Sequence, residues 1–157
     1  MKNKSVAILY NTRSTHNVGS IFRTADAVGI SHIYLIGYTP APIDRFGRER
    51  KDIAKVSLGA EVSIPWSHHE TIDAVFSELK EKEYQLVAIE QSPQSVDYKD
   101  VKVGELIAFI VGEEVEGLPE KILEMVDVVA EIPMAGTKES LNVSVAFGIA
   151  VFRILGL

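Results

Sequence analysis

The stretch Ile132-Pro133-Met134-Ala135-Gly136-Thr137-Lys138-Glu139-Ser140-Leu141-Asn142-Val143-Ser144 decides how this chain folds. The apolar run Val128 to Ile132 reads as a buried strand that breaks at Pro133 into a Pro/Gly loop. The loop ends in Ser140 and Asn142, two small polar side chains at the start of an apolar helix expected over 140–155. A helix start presents unpaired backbone N–H groups, so this corner is suited to a polar ligand. The helix carries Leu141, Val143, Val145, Ala146, Phe147, Ile149, Ala150, Val151, Phe152, Ile154 and Leu155. Apolar nearly all round, it should be buried nearly all round. A terminal helix on a small sheet normally leaves one face to solvent, so a second subunit is expected to cover that face.

Two more corners of this kind lie upstream. The first, Asn11 to Ala25, follows an apolar run Ser5 to Tyr10 and contains Asn17, Gly19 and Arg23. Asn17 is placed to cap the helix expected over 18–28, and Gly19 allows close backbone approach. The second, Gly112-Glu113-Glu114-Val115-Glu116-Gly117-Leu118, follows the apolar run Leu106 to Val111. Two glycines flank three carboxylates; Glu114 is expected to face inward and Glu113 and Glu116 to be solvated. All three corners lie at the C-terminal end of an expected strand, where open α/β sheets bind ligands.

Between the corners, short apolar runs alternate with helical patterns. Strands are expected at 5–10, 32–36, 61–65, 84–89, 106–111 and 128–132, and helices at 18–28, 52–58, 119–125 and 140–155. Ser67-His68-His69-Glu70 has the form of a capping box and should open a further helix running to about Lys82. The alternation implies an α/β fold with a mostly parallel, six-stranded sheet and helices on both faces. No Pro/Ser linker, repeat or low-complexity tract divides 1–157, so one domain is expected.

Composition narrows the function. The chain has 157 residues, 46% hydrophobic, and no cysteine, which excludes disulfides and thiolate metal sites. No apolar run approaches the roughly 20 residues of a membrane span, and no signal-peptide pattern opens the chain, so a cytoplasmic protein is expected. G-x-G-x-x-G and G-x-x-x-x-G-K-[ST] are both absent, and the histidines lack ligand spacing, so neither a standard dinucleotide or P-loop site nor a metal centre is expected. The net charge is −6, but it is divided: residues 1–55 hold nine Lys/Arg against four Asp/Glu, and residues 56–157 hold seven against eighteen. The basic half supplies Arg13, Arg45, Arg48, Arg50, Lys51 and Lys55 as candidates for an RNA-facing surface.

In order and spacing the three corners resemble the three motifs of the SpoU (TrmH-like) branch of the SPOUT methyltransferases. Asn17, Gly19, Ser20, Arg23, Thr24 and Ala25 match the first; Gly112, Glu114, Gly117 and Leu118 the second; Ile132, Pro133, Met134, Gly136 and Ser140 through Ser144 the third. The resemblance implies S-adenosylmethionine-dependent 2′-O-methylation of a ribose in tRNA or rRNA. It also implies a homodimer with the active site at its interface, and a deep C-terminal trefoil knot, which composition would not suggest. It places the donor around Ile89, Glu90, Gly112, Ile132, Met134, Ser140 and Leu141, and catalysis on Arg23, Asn17, Glu114, Ser140 and Asn142. Family members often carry an added RNA-binding domain; this chain reads as the catalytic domain alone, which favours tRNA, a compact shape that a dimer can grip.

The resemblance makes Arg23 the proton acceptor. A charged guanidinium has no lone pair for a proton. Either a neighbour neutralises Arg23, or Arg23 holds a phosphate and stabilises the developing alkoxide while water or Glu114 takes the proton. The alternative of another class is a non-catalytic RNA- or nucleotide-binding homodimer on the same scaffold.

Overall fold

The computed structural model describes residues 3–157. The elements run β1 (Lys4–Tyr10), α1 (Thr15–Val28), β2 (Ile33–Ile36), α2 (Lys51–Ser57), α3 (Ala60–Ser63), β3 (Trp66–His69), α4 (Asp73–Glu81), β4 (Gln85–Ile89), β5 (Val96–Asp97), β6 (Leu106–Val111), α5 (Glu120–Met125), β7 (Val128–Glu131) and α6 (Val143–Leu155). Tyr98–Asp100 add one turn of 3-10 helix. The strands form one sheet in the order β3-β2-β1-β6-β4-β7-β5, parallel throughout.

Side chains alternate across each strand, and both faces are covered. Ala7, Leu9, Ile33, Leu35, Ile107 and Phe109 meet α1, α2 and α6 on one face. Val6, Ile8, Tyr34, Ile36, Ala108 and Ile110 meet α4 and α5 on the other. That two-sided burial is why the central strands read as unbroken apolar runs.

The expected outline needs five corrections. The sheet has seven strands rather than six: β5 is two residues long, too short to carry a periodicity, and it pairs with the end of β7. The strand expected at 61–65 is the helical turn α3, whose Ala60 and Ile64 are buried at i, i+4 spacing. The strand is β3 instead, whose Ser67, His68 and His69 lack the apolar signature but pair in register with β2.

Ser67 therefore caps no helix. Its Oγ lies 2.9 Å from Nε2 of both His32 and His69. One hydroxyl proton serves one bond, so Ser67 donates to one ring and accepts from the other. Helix α4 starts at Asp73 without a side-chain cap. Asn17 is not a cap either: α1 begins at Thr15, and Ser14 Oγ accepts from Asn17 N at 3.1 Å. In the same way α6 begins at Val143, with Asn142 as its cap.

The order of the last strands positions the site. β7 lies between β4 and β5, yet β4 and β5 are joined by residues 90–95 alone. The chain leaving β7 must pass the loop that spans it, and Gln91 Nε2 of that loop donates to Glu139 O at 2.7 Å. This crossed arrangement is compatible with the trefoil knot that the resemblance implies.

Helix α1 reaches the sheet beside α2 because Gly19 has no side chain. A Cβ there would lie 2.9 Å from Ile53 O and from Val56 Cβ. Gly19→Val should lower stability by about 1–3 kcal/mol through overpacking, more than the helix propensity it recovers. Urea denaturation measures this; an unchanged midpoint would show that the α1–α2 contact yields freely.

Candidate active site

The loops after β1, β6 and β7 converge at one edge of the sheet, and a single carboxylate joins them. Glu114 Oε1 accepts from Ser14 N at 3.0 Å and Asn17 Nδ2 at 3.1 Å, and Oε2 accepts from Arg13 N at 3.1 Å. Asn17 Oδ1 in turn accepts from Asn142 Nδ2 at 3.2 Å. Asn142 Oδ1 caps α6 by accepting from Ser144 N at 2.9 Å and Val145 N at 3.4 Å. One line of hydrogen bonds thus runs from the second corner through the first to the third. Burial pushes the Glu114 carboxyl up, but the Ser14 N–H, the Asn17 amide and the Arg13 N–H together outweigh it and hold the group below the usual carboxylate range.

The loop 112–118 is folded tightly on itself. Gly117 N donates to Glu113 O at 2.9 Å, and Glu113 Oε2 accepts from Val115 N at 3.1 Å. Glu113 is therefore a half-buried loop brace rather than a solvated charge; Glu116 is exposed. Gly117 has φ +68, and a Cβ there would collide with the Glu90 carboxylate. A Cβ on Gly112 would strike the Gly117 carbonyl. Glu90 fastens the loop from the other side, accepting from Leu118 N at 3.1 Å. Below them, buried Thr12 donates its hydroxyl to Gly112 O at 3.3 Å and its N–H to Thr39 Oγ1 at 3.1 Å.

Ile89, Glu90, Gly112, Ile132, Met134, Ser140 and Leu141 all line one cavity of about 260 Å³, together with Glu114. Its walls mix apolar side chains (Ile89, Ile132, Leu141, Val143, Ala146) with five carboxylates: Glu90, Glu113, Glu114, Glu116 and Glu139. Sequence reasoning did not single out Gln91, Ala130, Val143 or Ala146 as lining residues. Val143 and Ala146 follow Asn142 at helical spacing and could have been found; Gln91 carries no signal at all.

Three expected catalytic residues lie outside the cavity lining: Asn17, Asn142 and Arg23. Arg23 is exposed on α1, and its side chain makes no hydrogen bond or ion pair among the described residues. It neighbours a surface where α1 packs on α6, Thr24 Cγ2 standing 3.7 Å from where a Cβ of Gly148 would be. On that side α6 leaves Val145, Ile149 and Phe152 exposed at 48%, 38% and 40%. The expectation that α6 is buried nearly all round does not hold within one subunit.

Of the basic candidates, Arg13 lies 6.0 Å from the Tyr38 ring centroid, and Arg45 and Arg48 lie 4.8 and 5.0 Å from that of Phe46. Arg48 and Arg50 pair with Asp44 and Asp52. Lys51 and Lys55 are exposed on α2. No described His, Asp and Glu residues are grouped to hold a metal ion, and no described helix is long and apolar enough to cross a membrane.

Comparison with known proteins agrees with this geometry. The model of the SpoU rRNA methylase family matches residues 4–152. The chain is 34% identical over 147 residues to a tRNA (guanosine(18)-2′-O)-methyltransferase of Aquifex aeolicus, covering 91% of this chain and 64% of that protein. It superposes on an AdoMet-bound rRNA methyltransferase from Sinorhizobium meliloti with a TM-score of 0.85 at 29% identity, covering 98% of this chain and 56% of the other. The TrmH/SpoU tRNA modifying enzyme of A. aeolicus gives a TM-score of 0.84 at 27% identity, with coverage of 99% and 76%. The chain spans between 57% and 64% of the length of the curated relatives named first among its matches.

The Glu114 bonds generate a pH prediction. A carboxyl whose folded-state pKa is depressed contributes stability that is complete above its unfolded pKa of about 4.3 and is lost as pH falls through the folded value. Glu114→Gln offers one acceptor oxygen where the carboxylate offers two, and it should cost about 1–2 kcal/mol at neutral pH. The variant should also flatten the loss of stability below pH ~4.3. Denaturant titrations across acid pH measure both effects; parallel wild-type and variant profiles would refute the assignment.

Proposed function

Because the chain belongs to the SpoU rRNA methylase family, we propose that it is an S-adenosylmethionine-dependent RNA ribose 2′-O-methyltransferase acting on tRNA or rRNA. The observation that carries this reading is the convergence of the three motif loops on one cavity, closed by the Glu114–Asn17–Asn142 line. The cavity suits the donor. Apolar walls from Ile89, Ile132 and Leu141 accept a flat base, and Gly112 keeps the main chain accessible. The carboxylates of Glu90, Glu113 and Glu139 favour a ligand bearing sulfonium and ammonium charges. The trefoil knot, with residues 132–142 passing the 90–95 loop, belongs to this reading, as does a single catalytic domain over 1–157. A cytoplasmic setting fits the absence of cysteine.

When bound, the donor supplies an electrophilic methyl group already activated by its sulfonium. The chain's task is then to position a ribose hydroxyl and to manage its proton. Glu114 is poorly suited to take that proton: both oxygens accept N–H groups and its pKa is depressed. Its role is to position Asn17 and, through it, Asn142. Arg23 is uncommitted, and a guanidinium there stabilises developing negative charge on the 2′-oxygen or holds the adjacent phosphate, leaving water as the proton acceptor. Ser140 is exposed at the cavity wall, and the family resemblance assigns it to the reacting end of the donor.

The exposed stripe Val145, Ile149 and Phe152 supports a homodimer built on α6 with Arg23 at the rim of the interface. Phe152→Glu combined with Ile149→Glu should shift the protein to a monomer in analytical ultracentrifugation and abolish turnover together. A protein that is monomeric from the outset, or doubly substituted protein that remains dimeric, would remove α6 from the interface.

Incubation with methyl-labelled S-adenosylmethionine and total RNA from cells lacking the gene should yield a labelled 2′-O-methyl nucleoside. Arg23→Ala should reduce that turnover by at least a hundred-fold, the order of loss when one electrostatic stabiliser is removed, and leave donor binding by calorimetry intact. No label in any RNA, with donor bound, would favour the non-catalytic binding dimer. Loss of donor binding in Arg23→Ala would put Arg23 in the donor site.

A further inference from the structure

The connection between β2 and α2 holds a feature that methyl transfer does not use. Residues 42–50 form a small hairpin closed by an antiparallel bridge between Ile43 and Glu49 and by Arg50 N donating to Pro42 O at 2.8 Å. Asp44 organises the tip: Oδ1 accepts from Phe46 N at 2.8 Å and Arg48 N at 2.9 Å, and Oδ2 accepts from Arg48 Nε at 3.0 Å. Gly47, at φ +76, makes the turn and donates to Asp44 O at 3.0 Å. All this ordering serves to hold Phe46 in solvent, 67% exposed, with the Arg45 and Arg48 guanidiniums 4.8 and 5.0 Å from its ring centroid. The groove beneath, of about 670 Å³, is lined by Arg50, Trp66 and His68 as well as these three. Arg50 Nε is buried there without a hydrogen-bond partner.

We propose that this hairpin is a nucleotide-stacking site, in which Phe46 packs on an unpaired RNA base while Arg45, Arg48 and Arg50 hold the phosphates beside it. The inference rests on the RNA-methylating reading above and gives the substrate a form: a single-stranded loop rather than a duplex. Three observations select this ligand. The Arg45 and Arg48 guanidiniums beside the ring supply the charge that complements a phosphate backbone. Cations alone would serve for a phosphate backbone, and an exposed phenyl ring adds nothing to that contact. A base offers its face to a ring only when it is unstacked, as in loops and bulges, and a base paired in an A-form helix does not. The Asp44 bonds pre-organise the tip, so that little ordering is left to be done on binding.

The test uses the full chain and a short single-stranded RNA carrying 2-aminopurine, whose fluorescence is quenched by stacking, beside the same strand annealed to its complement. The wild type should quench the single strand and not the duplex. Phe46→Leu should lose the quench and bind the single strand roughly ten-fold more weakly, as expected for one lost base stack. Its salt dependence should be unchanged, because no phosphate contact is removed. Phe46→Trp should retain the quench, and Arg45→Gln should lower the salt slope by about one while keeping it. Equal quenching by wild type and Phe46→Leu, or equal quenching of single strand and duplex, would overturn the stacking site. So would a shift of Phe46→Leu toward monomer in ultracentrifugation, which would make Phe46 an interface residue. Methyl transfer that persists alongside a failed quench would leave the enzymatic reading standing; a quench without methyl transfer to any RNA would do the reverse.

Discussion

The structure depends on one carboxylate. Glu114 takes up the backbone N–H groups of Arg13 and Ser14 and the side-chain amide of Asn17, and Asn17 passes the connection to Asn142 at the head of α6. Each of these loops lies at the C-terminal edge of a parallel sheet, where strands end and nothing in the sheet fixes the next few residues. A charged acceptor shared among three donors is worth more than neutral bonds, and half-buried surroundings strengthen it. Without it, α1 and α6 would still meet through Asn17 and Asn142, but the 112–118 loop would lose its tie to both.

That dependence separates the residues of the site by what they do. The cavity residues offer shape: glycines where backbone meets backbone, apolar side chains where a flat group would lie. The Glu114 line supplies registration. Arg23 stands apart from both, exposed beside the apolar stripe of α6. A site whose cationic member faces solvent in one subunit is best completed by another, which is why the dimer and the chemistry belong to the same proposal. The hairpin 42–50 adds a second piece of order, lining a groove that shares no residue with the cavity and built by Asp44 in the way that Glu114 builds the first.

Much of this was legible in the residues. The alternation of apolar runs with helical spacing marks a parallel sheet because strands covered on both faces must be apolar on both faces. The three corners are marked by glycines and small polar residues that strands and helices otherwise avoid. The misreadings have physical causes. β3 is an edge strand whose polar residues satisfy one another through Ser67, so no hydrophobic pattern records it. Ser14 and Asn17 are both good caps, and the sequence around them does not say which caps the helix; in the structure Ser14 Oγ takes the helical N–H while Asn17 Oδ1, the atom that could have capped, accepts from Asn142 instead.

The sequence by itself determined the fold class and the three loops, because each is written in local composition: apolar period, glycine, cap; the residues named for the cavity wall came from the resemblance of those loops to a family's motifs. Only the tertiary structure decided how they combine. That β7 inserts between β4 and β5, and that Glu114 reaches the N–H groups of Arg13 and Ser14, follow from contacts between residues far apart in the chain. Local propensity holds no information about partners 100 residues away, such as Ser14 and Glu114; packing of the whole sheet brings them within reach, and hydrogen-bond geometry then selects among the candidates.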